Sequence, residues 1–274
     1  MSEDNHQPVL RFDRVTVRFD DVEALSGVSF EAFEGESRVI LGAAGSGKTV
    51  LLKTALGLVK PDDGEVYAFG ENVTTMSERQ LFDIRSKIGM LFQESALFDS
   101  LTIEENVAYP LVNQKAIHCA PEQVLPRVEE ALEFVELGGT LEKFPSELSG
   151  GMRRRAAIAR AVVTEPPLVL YDSPTAGLDP ITAHTIIALL IKERDVKQTT
   201  TLLVTQRYQD GNLIANFRYN SKQGCLVPAR DGAGRAMQTT FMVLREGRLI
   251  FEGSQDGLEE SKDPYISKFV KQRV

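Results

Sequence analysis

The chain has 274 residues, enough for one large domain or two small ones. With 42% hydrophobic and 26% charged residues it has the composition of an ordinary globule, and a net charge of -8 argues against nucleic acid as a partner. Cys119 and Cys225 stand far apart in unrelated contexts, which points to a reducing compartment and not to a disulfide framework. The opening residues 1–8 are polar and acidic, unlike a signal peptide, and no apolar run approaches membrane-spanning length. These features predict a cytoplasmic protein that meets a membrane only through a partner.

Residues 9–33 alternate apolar and polar positions and are rich in Val and Phe, which predicts antiparallel strands with one buried face. Phe19 has two readings there: an ordinary core ring, or a ring that stacks on a purine. Gly35 turns the chain into Val39-Ile40-Leu41, a short apolar run of the kind shown by a buried parallel strand. Next comes Gly42-Ala43-Ala44-Gly45-Ser46-Gly47-Lys48-Thr49, which fits the pattern G-x-x-x-x-G-K-S/T, and then helix-forming residues 50–58. Strand, glycine loop and helix are the context in which that pattern binds phosphate. Its glycines let the backbone approach an anion closely, so that amide N–H groups and the positive end of the helix can face it. Lys48 then reaches the outer phosphates and the Thr49 hydroxyl ligates Mg²⁺. A chance glycine-rich turn is the alternative, and it leaves the flanking strand and helix unexplained.

Pro61-Asp62-Asp63-Gly64 is a turn by its chemistry, and residues 65–70 read as a strand. Residues 77–84 read as a helix with Ser77 and Gln80 in capping-box positions. An apolar strand over 88–92 ends at Gln93, and the loop over 93–102 changes from polar to apolar, as a lever could. Residues 103–137 turn helical, punctuated by Pro110, Pro121 and Pro126, with Val124, Leu125, Val128, Leu132, Phe134 and Val135 on one face. This predicts a helical insertion over about 94–160. Within it, Leu148-Ser149-Gly150-Gly151-Met152 opens a helix that ends before Pro166-Pro167. The arginines Arg153, Arg154 and Arg155 read as an RNA patch or as a solvated or partner-facing surface, and the acidic chain favours the second.

Leu168-Val169-Leu170-Tyr171-Asp172 is a buried strand ending in a carboxylate, where the Mg²⁺-organising aspartate of a nucleotidase sits. A loop over 173–180, a helix over 182–194 and a buried strand over 201–205 follow, the last ending at Gln206. Residues 217–238 are polar and locally basic and read as a surface loop insertion. A hairpin over 240–253 turns at Glu246-Gly247. The tail 263–274 reads as a helix suited to packing on a partner. No internal repeat is visible, and 1–274 is expected to be a single unit.

The phosphate loop, Gln93, the Leu-Ser-Gly-Gly run, residues 171–180 and the strand ending at Thr205 occur in the order and spacing of an ABC-type ATPase cassette. The resemblance covers nearly the whole chain, and the Leu-Ser-Gly-Gly run is peculiar to that family. Residues 96–102 and 149–155 look like the subgroup that powers lipid transport with mammalian-cell-entry-type binding proteins, such as the phospholipid-trafficking (Mla) ATPases and their plastid lipid-importer relatives. The resemblance implies an α/β P-loop NTPase fold: a RecA-like parallel sheet, an antiparallel β edge and a helical subdomain. It implies that Phe19 stacks on the adenine of ATP, that residues 42–49 hold phosphate, and that Thr49, Gln93 and Asp172 sit at Mg²⁺ near the attacking water. Ser149, Gly150 and Gly151 would contact ATP held by a second copy of the chain, with Asp179 in the loop connecting the two sites. It further implies a transmembrane permease, a periplasmic lipid-binding protein in the same complex, and a peripheral place at the inner face of the membrane.

Two positions depart from the family pattern. A glutamate normally follows the aspartate, as general base for water; here it is Ser173. A histidine normally follows Val-Thr; here it is Gln206. Glu165 cannot stand in, because it precedes the strand that Asp172 ends. Hydrolysis is therefore expected to be weak, positioned acid–base catalysis being worth about 10²–10⁴ in rate. Two other readings stay open: a nucleotide-gated, non-hydrolysing or regulatory subunit, and an ABC protein of translation or repair. The latter usually carries two cassettes per chain, and this chain has one.

Overall fold

The computed structural model describes residues 7–229 and 238–271, so the first six residues, part of the predicted insertion and the last three residues lie outside the described residues. An antiparallel ribbon of β1 (Leu10–Phe19) and β2 (Val22–Ala32) leads into β3 (Ser37–Leu41), and α1 (Lys48–Ala55) follows. Then come β4 (Asp63–Ala68), β5 (Glu71–Asn72), α2 (Glu78–Arg85) and β6 (Ile88–Leu91). Three helices follow: α3 (Ile103–Asn113), α4 (Pro121–Phe134) and α5 (Gly150–Val162). The chain continues through β7 (Leu168–Asp172), α6 (Pro180–Lys197), β8 (Thr200–Thr205) and α7 (Tyr208–Asn216). It ends in β9 (Phe217–Asn220), β10 (Cys225–Pro228), β11 (Thr239–Arg245), β12 (Arg248–Gly253), α8 (Gln255–Glu259) and α9 (Pro264–Lys271).

The six-stranded sheet has the order β12-β11-β3-β8-β7-β6, parallel throughout except for the β12 edge. A second sheet, β2-β1-β4-β5, is antiparallel. Period-two alternation splits the parallel strands between two cores. Val39, Leu41, Val169, Tyr171, Leu203, Phe241 and Val243 face a core shared with α3 to α9. Ile40, Leu168, Leu170, Leu202, Val204, Met242 and Leu244 face a core shared with the antiparallel sheet, α1 and α2. Both faces are covered, which is why these strands read as continuous apolar runs. The fold is the expected α/β P-loop NTPase arrangement.

Local chemistry sets the ends of the elements. Gly47 precedes α1 at φ 102°, and a Cβ there would lie 2.3 Å from the Ala24 carbonyl oxygen, so only glycine fits. Ser77 and Gln80 form the expected box, Ser77 N–H donating to Gln80 Oε1 at 3.0 Å. Glu246 and Gly247 turn the β11–β12 hairpin with positive φ at both residues, as a type I′ turn needs.

Several expectations are corrected. Pro110 and Pro126 lie inside α3 and α4 and end neither helix. Leu125 is exposed, although Val128, Leu132 and Val135 of the same predicted face are buried. The predicted loop over 217–238 is a β9–β10 hairpin in its described first part. Phe217, Tyr219 and Leu226 pack on the helical core there, and the Asn220 side chain accepts from Lys222 N–H at 3.0 Å in the turn. The arginines of α5 are not a uniformly solvated surface: Arg153 is exposed, Arg155 half-buried and Arg154 buried, and all three bond to carbonyls of their own chain. Arg153 donates to Leu148 O at 2.7 Å, Arg155 to Val135 O at 3.1 Å, and buried Arg154 to Phe92 O at 3.1 Å. The described tail, α9, packs on its own chain through buried Ile266 and Phe269.

Candidate functional site

Register places the site. Leu41 pairs with Thr205 and Asp172 with Val204, so the carboxyl ends of β3, β7 and β8 lie side by side. The residues that follow those ends converge where open α/β sheets bind their ligands. A cleft of about 470 Å³ opens there. Ala44, Gly45, Gly47, Lys48 and Thr49 form one wall and Gln93, Ser173 and Gln206 the other. Val22, Glu23, Ala24, Val50, Glu246 and Gly247 complete the lining.

Within the loop, Lys48 Nζ donates to the carbonyls of Gly42 (2.8 Å) and Ala43 (2.7 Å). Burial pushes its pKa down to about 8, while the Asp172 carboxylate pulls the other way. Gly42 and Ser46 are buried and, like Ala43, do not line the cleft. Thr49 Oγ1 donates to Asp172 Oδ2 at 2.7 Å, and Ser173 Oγ donates to Asp172 Oδ1 at 3.0 Å. Ser173 sits at φ 48° with its N–H bonded to Val204 O at 2.8 Å. Gln93 and Gln206 are exposed at the cleft. Phe19, 48% exposed, does not line it.

Ser149, Gly150, Gly151 and Asp179 meet in a separate depression of about 570 Å³, which shares no residue with the first. Ser149 caps α5, its Oγ accepting from Met152 N–H at 3.2 Å. Asp179 caps α6, accepting from Ile181 and Thr182 N–H at 3.0 Å, and the Thr182 side chain, followed by these backbone bonds, holds its carboxyl below the usual range. Gly151 is packed against Thr182, whereas a Cβ on Gly150 would meet nothing within 4 Å.

Sequence reasoning missed three polar anchors. Buried Asp210 accepts from Thr175 Oγ1 (2.6 Å) and Thr205 Oγ1 (2.7 Å), tying the loop after β7 to the end of β8. Desolvation raises its pKa. Asn106, fully buried in α3, accepts from Phe98 N–H at 2.7 Å and donates to Phe98, Leu101 and Thr102 carbonyls. Its one signal was a polar residue beside Val107 on an otherwise apolar helical face. Tyr265 reaches the phosphate loop from the far end of the chain, its hydroxyl accepting from Ala43 N–H at 3.0 Å.

The family described as ABC transporter matches residues 25–176, a little over half of the chain. The intermembrane phospholipid transport system ATP-binding protein MlaF of Haemophilus influenzae is 30% identical over 97% of this chain and 91% of its own length. Its Escherichia coli namesake is 33% identical over 89% and 81% respectively. An ATP-binding cassette solved as a post-hydrolysis dimer with ADP and Pi superposes with a TM-score of 0.74 at 30% identity, covering 89% of this chain and 98% of that one. Among the described residues no helix is long and apolar enough to cross a membrane. Family match, relatives and fold agree: the chain belongs to the ABC transporter family, as an ATP-binding subunit.

Proposed function

We propose that the chain binds Mg-ATP at residues 42–49 and, as a dimer with a second copy of itself, drives a transmembrane permease that moves phospholipid or a related lipid. One observation carries the site: Thr49, which lines the cleft beside Lys48, puts its hydroxyl oxygen 2.7 Å from a carboxylate oxygen of Asp172, buried just behind it. Hydroxyl and carboxylate oxygens with phosphate to share are the donors Mg²⁺ takes, and Gln93 supplies a third oxygen at the rim. When bound, Mg²⁺ neutralises charge on the outer phosphates. Lys48 leaves its two loop carbonyls for those phosphates, and the loop amides hold them from below. The lipid reading is supported by likeness to the two phospholipid transport ATP-binding proteins.

The separation of the Ser149–Gly151 depression from the cleft supports the dimer. A capped helix start with open space at Gly150 can serve a phosphate held by another copy. A groove of about 450 Å³ lined by Leu56, Leu58, Met90, Phe92, Phe98 and Arg160 adjoins the 93–102 loop and suits an apolar segment of the permease. These contacts would hold the chain at the inner face of the membrane, with a periplasmic lipid-binding protein completing the complex. Hydrolysis is weak in this reading. The Ser173 hydroxyl donates its hydrogen bond to Asp172, and serine has no carboxylate to take a proton from water. The same observation favours a second reading, a nucleotide gate that does not hydrolyse. Sedimentation with and without Mg-ATP tests the first proposal: wild type should dimerise and Lys48→Ala should not. A strict monomer at high concentration in both conditions, with permease present as well, would sink the sandwich.

A further inference from the structure

The phenol of Tyr265, in the first turn of α9, lies behind the phosphate loop. It accepts from Ala43 N–H at 3.0 Å and donates to the Leu244 carbonyl of β11 at 3.3 Å, so its donor and acceptor capacities are both used. The ring is held on a firm mount. Asp263 Oδ1 accepts from Tyr265 N–H at 2.7 Å and from Ile266 N–H at 3.3 Å, capping the helix. Phe269 meets the ring edge-on at 5.2 Å, and the Arg245 guanidinium lies over it at 5.3 Å. Ile266 and Phe269 anchor the helix in the core.

Ala43 is the link. Its carbonyl accepts from Lys48 Nζ at 2.7 Å and from Ser46 N–H at 3.2 Å. The residue does not line the cleft, whereas Ala44 does. The tyrosine therefore supports the loop from behind and does not compete with an anion in front. One residue of backbone connects the phenol of α9 to the lysine that meets phosphate.

We propose that Tyr265 is a positioning residue for nucleotide binding, through which helix α9 presets the phosphate loop; this rests on reading residues 42–49 as the nucleotide site. Phenylalanine keeps the ring contacts and removes both hydrogen bonds. Ala43, exposed, then bonds to water, and the loop must be ordered by the nucleotide instead. Losing this one hydrogen bond corresponds to an affinity loss of about three- to tenfold.

The test is calorimetric titration of the full-length chain with Mg-AMP-PNP, beside nucleotide-free thermal melts. Tyr265→Phe should raise Kd about three- to tenfold while lowering the melting temperature by only a few degrees, about 2–6 °C for two lost hydrogen bonds. Tyr265→Ala should lose both affinity and nucleotide-free stability. An unchanged Kd in Tyr265→Phe overturns the proposal, and so does an affinity loss accompanied by a melting decrease as large as that of Tyr265→Ala. Wild type that fails to bind, or Lys48→Ala that binds equally well, overturns the site reading itself, and the proposal with it.

Discussion

Arg154 holds the backbone of Gln93. Its guanidinium donates to the Gln93 carbonyl and, at 3.1 Å, to that of Phe92. Arg154 lies one turn beyond Ser149–Gly151 on α5, so the loop leaving β6 is bolted to the helix whose start faces the second depression. Arg160, on the same helix, donates to Ser95 O at 2.9 Å. A shift at either end of α5 is therefore felt by the 93–102 loop.

Arg154→Ala should uncouple the two while leaving Lys48 and Thr49 alone. Two carbonyls would lose a charged donor, a cost of about 2–3 kcal/mol in urea unfolding. Phosphate release should fall severalfold, and the Kd for Mg-AMP-PNP should stay within about twofold, because uniform binding is untouched. Equal losses in Kd and turnover would place Arg154 in binding instead.

Asp210 makes a second tie. Thr175 and Thr205 are both buried and share its Oδ2. Asp210→Ala would strand two buried hydroxyls, which costs roughly 2–4 kcal/mol. It would also free the loop that carries Ser173. Urea unfolding of the variant measures the first effect, and a midpoint equal to wild type would show that Asp210 is not the anchor.

The legible parts of this chain are those governed by local sequence. Val39-Ile40-Leu41 and residues 168–172 read as parallel strands because both faces of the sheet are covered. The phosphate loop reads from its own residues. What stays hidden depends on long-range placement. Glu246 and Gly247 line the cleft only because β11 pairs with β3 across the chain. Arg154 and Tyr265 carry no periodic signal, since their partners are backbone groups of distant segments. The β9–β10 hairpin rests on a few apolar residues in a polar stretch, too few to set a pattern.

Glu193 offers a pH test remote from the cleft. Burial pushes its pKa from 4.5 up to about 7, against the pull of Lys197 and the Thr199 hydroxyl bonded at 3.3 Å. The folded chain thus binds this proton more tightly than the unfolded chain. Stability from the group is present below about pH 4.5 and is lost as pH rises through about 7. Glu193→Gln should therefore stabilise the protein at pH 8 and do little at pH 5, the two gains differing by roughly 1–3 kcal/mol. Thermal melts at both pH values decide it; equal gains would mean that the carboxyl is not ionising where its burial implies.

Turnover is the last and most direct prediction: wild type should hydrolyse ATP slowly, and Ser173→Glu should speed it. Asp172 fixes the register at the end of β7, and residue 173 lines the cleft beside Lys48, Thr49 and Gln206. A carboxylate there could orient and deprotonate the attacking water. Serine cannot, and its hydroxyl is already committed to Asp172 Oδ1 at 3.0 Å. Glu165 offers no substitute, since it precedes β7 and pairs with Lys197. The backbone should tolerate the change, because both residues carry a Cβ and meet the left-handed φ of 48° on similar terms. Phosphoryl transfer relies mainly on positioning and charge, so the remaining groups should sustain a low rate in wild type. A gain of about tenfold corresponds to roughly 1.4 kcal/mol of barrier. Adding Gln206→His should raise the rate further if the two groups act together on the γ-phosphate. Steady-state phosphate release by purified dimer measures this, with Lys48→Ala as the blank for contaminating ATPases. Wild-type turnover at ordinary transporter rates, indifferent to Ser173→Glu, would mean that another group handles the water and that the site is not degenerate.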